Sequence, residues 1–322
     1  MVKKTFCTVF FACVALCLSA QQSWRERTVH ALDTLCCDTL LNTSQLGLAV
    51  WDLTDDTLVY SVGYRQRMRP ASCQKIVTAV AALRCLGAEH RFTPYVREPG
   101  WGWCWDDDIT QGGRKRPRLT NPSQPLLNES EERTLAEVLV PMLKESDNLL
   151  AESVFQQLAY KSGRIDAGRK EAALEIERVM HDLSLNPKDY LIADGSGLSL
   201  YDYVTPELLV LFLRYAWLWD HIREPFVASL PIAGIDGTLE KRMTGTTAQG
   251  NVCAKTGTVE GISSLAGYCR SSEGHDLCFA IINQGVVRAR SGRNFQDRAC
   301  LILTAEPPSD TDNNVRAEGM SK

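Results

Sequence analysis

The sequence predicts a mixed α/β (α+β) fold: one five-stranded antiparallel sheet made from both ends of the chain, flanked by helices, with a helical subdomain inserted in the middle. Three observations predict it. Two strand-like runs joined by a turn stand near the N-terminus, three more follow one another near the C-terminus, and the stretch between carries mostly helical apolar spacing. The chain has 322 residues, 44% of them hydrophobic, enough to bury a substantial core as one large domain or two small ones.

The elements follow in order. Lys3 and Lys4 precede an apolar stretch from Thr5 to Leu18 that ends at Leu18-Ser19-Ala20. This is the pattern of a cleaved leader over residues 1–20, too short to span a bilayer. A lipid-anchored leader is disfavoured because Leu16 precedes Cys17 where a small residue is wanted. Residues 24–41 have helical spacing through Val29, Leu32, Leu35 and Leu40. The runs Leu46 to Leu53 and Thr57 to Val62 flank an Asp55-Asp56 turn and read as a hairpin. Pro70-Ala71 leads into Ser72, at the start of a helix that continues from Ile76 to Leu86.

Residues 92–131 break this regularity with Trp101, Trp103, Trp105, the acidic run 106–108 and four prolines after Pro94. Helix returns over 134–160, interrupted at Ser146, then over 171–183 and 206–219. Residues 251–256, 263–269 and 277–283 read as three consecutive strands, with turns at Gly261 and Gly274. A last helix over 294–303 precedes a polar tail. The expected organisation is one domain over 21–305, an irregular excursion at 92–131, and a disordered tail at 306–322.

Composition excludes several classes. A net charge of −4 gives no sign of nucleic-acid binding, and the one basic run, Arg114 to Arg118, reads as a solvated loop. No second stretch is long and apolar enough for a stable membrane anchor. Loss of the leader leaves nine of the twelve cysteines, an odd count that requires at least one free thiol in an exported protein. No pair has metal-ligand spacing and the five histidines are scattered singly, so neither a metal nor another cofactor is expected.

Three short motifs carry the chemistry: Ser72-Cys73-Gln74-Lys75, Ser146-Asp147-Asn148 and Lys255-Thr256-Gly257. A serine-any-any-lysine spacing alone arises about once by chance in a chain this long. On a helix, however, residues three apart share a face, which puts the Lys75 amine beside the Ser72 hydroxyl, a poor nucleophile until a neighbour takes its proton. Lys75 can do so only when neutral, through burial or a nearby cation, for which Lys255 is the candidate. Serine-any-asparagine occurs twice; the second, Ser184 to Asn186, runs into Pro187 and reads as a helix end. Lys255-Thr256-Gly257 reads as the end of an apolar strand, followed by Thr258. Such an edge can accept an extended peptide as an added strand while Lys255 and Thr256 meet a carboxylate.

The motif set is that of penicillin-binding proteins and β-lactamases, and the resemblance extends further. Residues 70–75, Asp194 to Ser199, Leu230 to Leu239 and Ala254 to Tyr268 resemble the D-Ala-D-Ala carboxypeptidase/endopeptidase family of penicillin-binding protein 4, over about residues 24–303. The resemblance implies a β-lactamase/DD-peptidase-like fold, with peptidoglycan stem peptides and β-lactam antibiotics as partners, and a periplasmic location. It implies Ser72 as the acylated nucleophile, Lys75 as its base, and Ser146 and Asn148 in proton transfer and amide binding. Lys255, Thr256, Gly257 and Thr258 would bind the substrate, the carboxylate falling to Lys255 and Thr256, with the Ser72 and Thr258 N–H groups as the oxyanion hole.

Two departures qualify this. Cys73 occupies a variable position of the first motif, where a small inward-facing residue is expected. Only 73 residues separate Lys75 from Asn148, where longer family members insert whole domains. Residues 103–111 resemble a piece of that insert, in which an aspartate faces the substrate side chain; Asp108 is the candidate. Two alternatives stand beside the serine carboxypeptidase. One is a β-lactamase of the same fold, which in class A needs a glutamate in an E-x-x-L-N loop that this sequence lacks. The other is a catalytically impaired peptidoglycan-binding protein.

Overall fold

The computed structural model describes residues 23–94, 132–161, 163 and 167–305. The expected leader, most of the excursion with Asp108 and Cys104, and the polar tail lie outside the described residues. The strands are β1 (Gln45–Asp52), β2 (Thr57–Val62), β3 (Arg91–Phe92), β4 (Arg133–Thr134), β5 (Cys253–Val259), β6 (Ile262–Arg270) and β7 (Asp276–Gln284). The helices are α1 (Trp24–Leu35), α2 (Gln74–Leu86), α3 (Leu135–Lys144), α4 (Asn148–Tyr160), α5 (Arg169–Asp182), α6 (Pro206–Leu218), α7 (Asp220–Ala228) and α8 (Ala289–Thr304).

Five strands form one antiparallel sheet in the order β2-β1-β7-β6-β5. The sheet joins both chain ends because β1 pairs directly with β7, Gln45 opposite Gln284 through Asp52 opposite Leu277. Side chains alternate across a strand, so β7 sends Cys278, Ala280 and Ile282 into one core and Leu277, Phe279 and Ile281 into another. The first core lies under α2 to α7; the second lies under α1 and α8. Both faces being covered explains why the central strands read as nearly continuous apolar runs.

Three boundaries differ from the sequence expectation. The first helix stops at Leu35, and Thr39–Asn42 forms a separate 3-10 turn capped by Asp38. Helix α7 was not anticipated; Pro225 inside it obscures the helical signal. Lys255 does not finish its strand: the ladder continues from Thr256 opposite Leu265 to Val259 opposite Ile262, so the Lys255-Thr256-Gly257 motif sits mid-strand. Glycine signals a break only where the chain must turn, and here it serves a close approach instead. The short β3-β4 pair, Arg91 opposite Thr134 and Phe92 opposite Arg133, marks where the excursion leaves and returns.

Helix α2 runs through the middle of the molecule: every residue from Gln74 to Leu83 is buried. A helix covered on all sides holds its first turn rigidly, and that turn carries Lys75, with Ser72 in the 3-10 turn just before it. Phe279, fully buried at the centre of β7, anchors the opposite side of the same sheet. Phe279→Ala is expected to cost about 3–5 kcal/mol of folding stability by chemical denaturation; a loss below about 1 kcal/mol would contradict this packing.

Candidate active site

Ser72 lies in a 3-10 turn, Ala71–Cys73, that feeds directly into α2. Ala71 takes a left-handed backbone, φ +48°, a strained conformation for a residue with a side chain. Two glycines allow the surroundings to close on this turn. A Cβ on Gly197 would fall 1.8 Å from the Ala71 carbonyl oxygen, and one on Gly257 would fall 2.8 Å from Pro70 O and 3.0 Å from Ser72 N. Ser264 on β6 donates from Oγ to Pro70 O at 2.6 Å. The turn is thereby pinned between β5 and the 194–199 loop.

Lys75 is fully buried. Its Nζ lies 3.1 Å from Ser72 Oγ, 2.6 Å from Asn148 Oδ1 and 2.9 Å from the Ser196 carbonyl oxygen. Asn148 is the first residue of α4, just after Asp147 caps that helix through the Leu150 N–H. Ser146 sits in the gap between α3 and α4 with φ +61°, which turns its hydroxyl toward the second lysine. Lys255 Nζ donates to Ser146 Oγ at 2.9 Å and to Thr256 O at 2.6 Å. All three motifs therefore meet in one place, linked by two buried amines.

Burial sets the character of both amines. It pushes Lys75 down to about 8, against the opposing pull of Asp194, Glu152 and Asp147. It pushes Lys255 down to about 7, with repulsion from Lys75 as the second cause. Of the two causes the sequence left open, burial and a nearby cation, desolvation is the leading one at Lys75. Burial also raises the Cys73 thiol, which stays protonated and meets Lys255 O at 3.3 Å. Cys73 is the small inward residue expected of it.

Strand β5 is one of the two edge strands of the sheet, bridged at Cys253 to Ile232. The Ala254 N–H points outward, to Pro231 O at 2.9 Å. Alternate residues of an antiparallel strand direct their main-chain groups the same way, so those of Thr256 and Thr258 also point to the edge. Thr258 is exposed there.

The Asp194–Ser199 loop was noted in the sequence; Thr238, Glu152 and Asp202 were not anticipated at the site. Thr256 Oγ1 meets Thr238 Oγ1 at 2.8 Å. The loop carrying Thr238 is held by Asp236, which pairs with Lys144 and accepts from Ile232 N. Glu152, Asp194 and Asp202, all buried, lie behind Lys75. Asp194 accepts from Ser196 N and Oγ, Gly197 N and Ser199 N. Asp202 accepts from Ala193 N at 2.7 Å and Asp194 N at 3.3 Å, while its other oxygen is buried with no donor. A proton on that oxygen, shared with Asp194, removes the deficit, and burial next to Asp194 raises Asp202 well above the usual carboxyl range.

One cluster elsewhere has metal-ligating atoms close together, Asp52, Asp55 and His275. Asp52 Oδ2 already meets Arg25 Nη2 and His275 Nδ1, each at 2.9 Å. Arg25 supplies the positive charge that the acidic pair needs, and the cluster lies on a different part of the sheet from Ser72. The eight described cysteines are all free thiols.

Comparison with known proteins places this geometry. The chain is 39% identical over 162 residues to a D-alanyl-D-alanine carboxypeptidase from Actinomadura sp., a match covering 47% of this chain and 28% of that protein. It is 31% identical over 159 residues to the D-alanyl-D-alanine carboxypeptidase DacB of Haemophilus influenzae, covering 48% of this chain and 32% of that one. These matches thus span about a third of the relatives' length. The crystal structure of penicillin binding protein 4 (dacB) from Haemophilus influenzae superposes with a TM-score of 0.66 at 17% identity, covering 84% of this chain and 98% of that chain. A TLA-1 extended-spectrum β-lactamase superposes with a TM-score of 0.59 at 14% identity, covering 87% and 98%. Both establish the fold, a five-stranded antiparallel sheet flanked by helices as in DD-peptidases and β-lactamases. The model of the D-Ala-D-Ala carboxypeptidase 3 (S13) family matches residues 28–103 and 100–306. The chain belongs to that family.

Proposed function

We propose that the protein is a serine-type D-Ala-D-Ala carboxypeptidase acting on peptidoglycan stem peptides through an acyl-serine, and that penicillins acylate the same serine. One observation carries this reading: the three contacts of Lys75. A neutral amine has two N–H donors and one lone pair. Asn148 Oδ1 and Ser196 O take the two donors, which leaves the lone pair for the third neighbour, Ser72 Oγ at 3.1 Å. An amine lowered to about 8 is neutral often enough near pH 7 to act as a general base.

The reaction follows from that placement. Ser72 Oγ attacks the carbonyl carbon of the terminal peptide bond as its proton passes to Lys75. The oxyanion is met by the main-chain N–H groups of Ser72 and Thr258. Ser146 gives its proton to the departing D-alanine nitrogen and takes one back from the lysine pair through Lys255, so that the proton gained at Lys75 leaves the pair's proton count unchanged. Water then cleaves the acyl-serine ester, and Ser72 regains its proton. The terminal carboxylate is bound at the edge of β5 by Lys255 and Thr256, with the Gly257 and Thr258 main chain beside them. Asp108 is assigned to the substrate side chain from the resemblance of residues 103–111.

Such a substrate requires an exported enzyme; the leader-like residues 1–20 support a periplasmic location. No described helix is long and apolar enough to cross a membrane.

Labelled penicillin and an acyl-D-Ala-D-Ala peptide test the reading on the purified protein. A stable penicillin adduct on Ser72, together with D-alanine release, is the expected result, and Lys75→Ala should lower acylation by about 10²–10⁴-fold. Rapid penicillin turnover would move the protein to the β-lactamases, and a folded protein giving neither adduct nor release overturns both enzymatic readings.

The lysine pair sets the pH dependence. The competent form holds one proton across the pair, on Lys255, with Lys75 neutral. The lower value belongs to Lys255, about 7, and the higher to Lys75, about 8, so the competent form is the less populated of the two singly protonated forms. Its population still peaks between those values, and kcat/KM for the peptide is expected to be bell-shaped with its maximum there. It falls on the acid side as Lys75 gains a proton and on the alkaline side as Lys255 loses its own. Lys255→Arg, cationic at every working pH, should extend the alkaline limb upward; an alkaline limb that stays put would remove Lys255 from carboxylate binding.

A further inference from the structure

We propose that Glu152 is a positioning residue for the Lys75 base, acting through the main chain of Gly195 and Ser196. The proposal rests on the acyl-transfer reading for its consequence, and on geometry alone for its construction. Glu152 follows Asn148 by four residues on α4, so the two side chains leave the same helix face. Each controls one of the two acceptors that orient the Lys75 amine. Asn148 does so directly, through Oδ1. Glu152 does so at one remove: Oε1 accepts from Ser196 N at 2.9 Å and from Gly195 N at 3.2 Å, and Oε2 meets Gly195 N at 3.3 Å. The Ser196 carbonyl then accepts from Lys75 Nζ.

The surroundings make Glu152 the anchor of this segment on the helix side. Thr78 on α2 donates to Gly195 O at 2.8 Å, and Asp194 holds Ser196 N from within the loop at 3.1 Å. Glu152 ties the Gly195 and Ser196 N–H groups to α4, the helix that also carries Asn148. Its carboxyl is fully buried. The charged and titratable groups facing it are Lys75 from α2 and Asp194 from the loop, with Asp202 beyond Asp194. Burial and Asp194 raise it to about 8, while hydrogen bonding from Ser196 and from the Gly195 N–H, and the Lys75 charge, pull it the other way. A buried carboxyl of this kind is costly unless its hydrogen bonds are needed. Here they fix the direction of the lone pair that meets Ser72.

The decisive comparison is between two substitutions of similar size. Glu152→Gln keeps an oxygen where Oε1 stands and can accept from both N–H groups; Glu152→Met fills the same space and accepts from neither. Penicillin acylation by Glu152→Met is expected to slow at least tenfold, with the affinity of the pre-acylation complex within twofold of wild type, while Glu152→Gln stays within threefold in rate. Glu152→Met acylating at the wild-type rate, or Glu152→Gln losing as much as Glu152→Met, overturns the proposal. If Glu152→Met does not fold, Glu152→Asp carries the test. Its shorter side chain withdraws the acceptor, and a folded Asp variant at the wild-type rate overturns the proposal equally.

A second readout is independent of acylation. The Lys75 side-chain resonance in 15N-lysine-labelled protein should move further, in position and titration midpoint, in Glu152→Met than in Glu152→Gln. No change in Glu152→Met sinks the positioning role even where wild type is acylated. A wild-type protein that penicillin does not touch sinks the acyl-transfer reading and leaves this readout standing.

Discussion

The direction of one lone pair governs this site. A lysine amine beside a serine is common on helix surfaces and does nothing, because it is protonated and turns freely among solvent partners. Lys75 differs in two respects that depend on each other. Burial under the central helix removes solvent and lowers the amine, and the same burial obliges its donors to find protein acceptors. Asn148 and Ser196 supply two, and the geometry left over aims the remaining valence at Ser72. The double-sided sheet, the buried α2 and the close glycine contacts all serve to hold that arrangement to tenths of an ångström.

The second lysine follows from the first. Lys255 cannot carry full charge beside a charged Lys75 in so dry a place, and repulsion from Lys75 is one cause of its lowering. In the proposed reaction, one proton shared between two amines would supply a base at the serine and a cation at the substrate's carboxylate. Ser146, whose hydroxyl touches Lys255, would bridge the two functions in that reaction.

Much of this was legible in the sequence because it is local or a matter of order. The serine–lysine spacing on a helix, the helical interruption at Ser146 and the apolar runs of β1, β6 and β7 all follow from periodicity, and each element is where periodicity put it to within a few residues. Position within a strand was less legible. Lys255 reads as a strand end because Gly257 looks like a stop, whereas the glycine is there to admit the backbone of the Ser72 turn. Glu152 and Thr238 were missed for a different reason. Their roles exist only through contacts made in the folded state, Glu152 with a loop 43 residues away and Thr238 with a strand 18 residues away. The available signal for Glu152 was a carboxyl among consecutively buried residues of α4, a charge with no exposed face to occupy.

The buried charges also explain why the site demands so much support. Burial shifts four of these groups toward neutrality: the two lysines down, Glu152 and Asp202 up. The stability consequences run in opposite senses. Glu152, raised above its unfolded value, contributes stability at acid pH that is lost as pH climbs toward about 8. The lysines, lowered below theirs, withhold stability at acid and neutral pH and return it only as pH rises past about 7 to 8 toward the unfolded lysine range. Their sum is therefore least favourable at about 7 to 8, where Glu152 has lost most of its contribution and the lysines have regained little, and that interval is where the pair holds its one proton. A site with this property cannot stabilise itself at its working pH. It has to be carried by apolar packing on both faces of the sheet, and this is what the two cores supply.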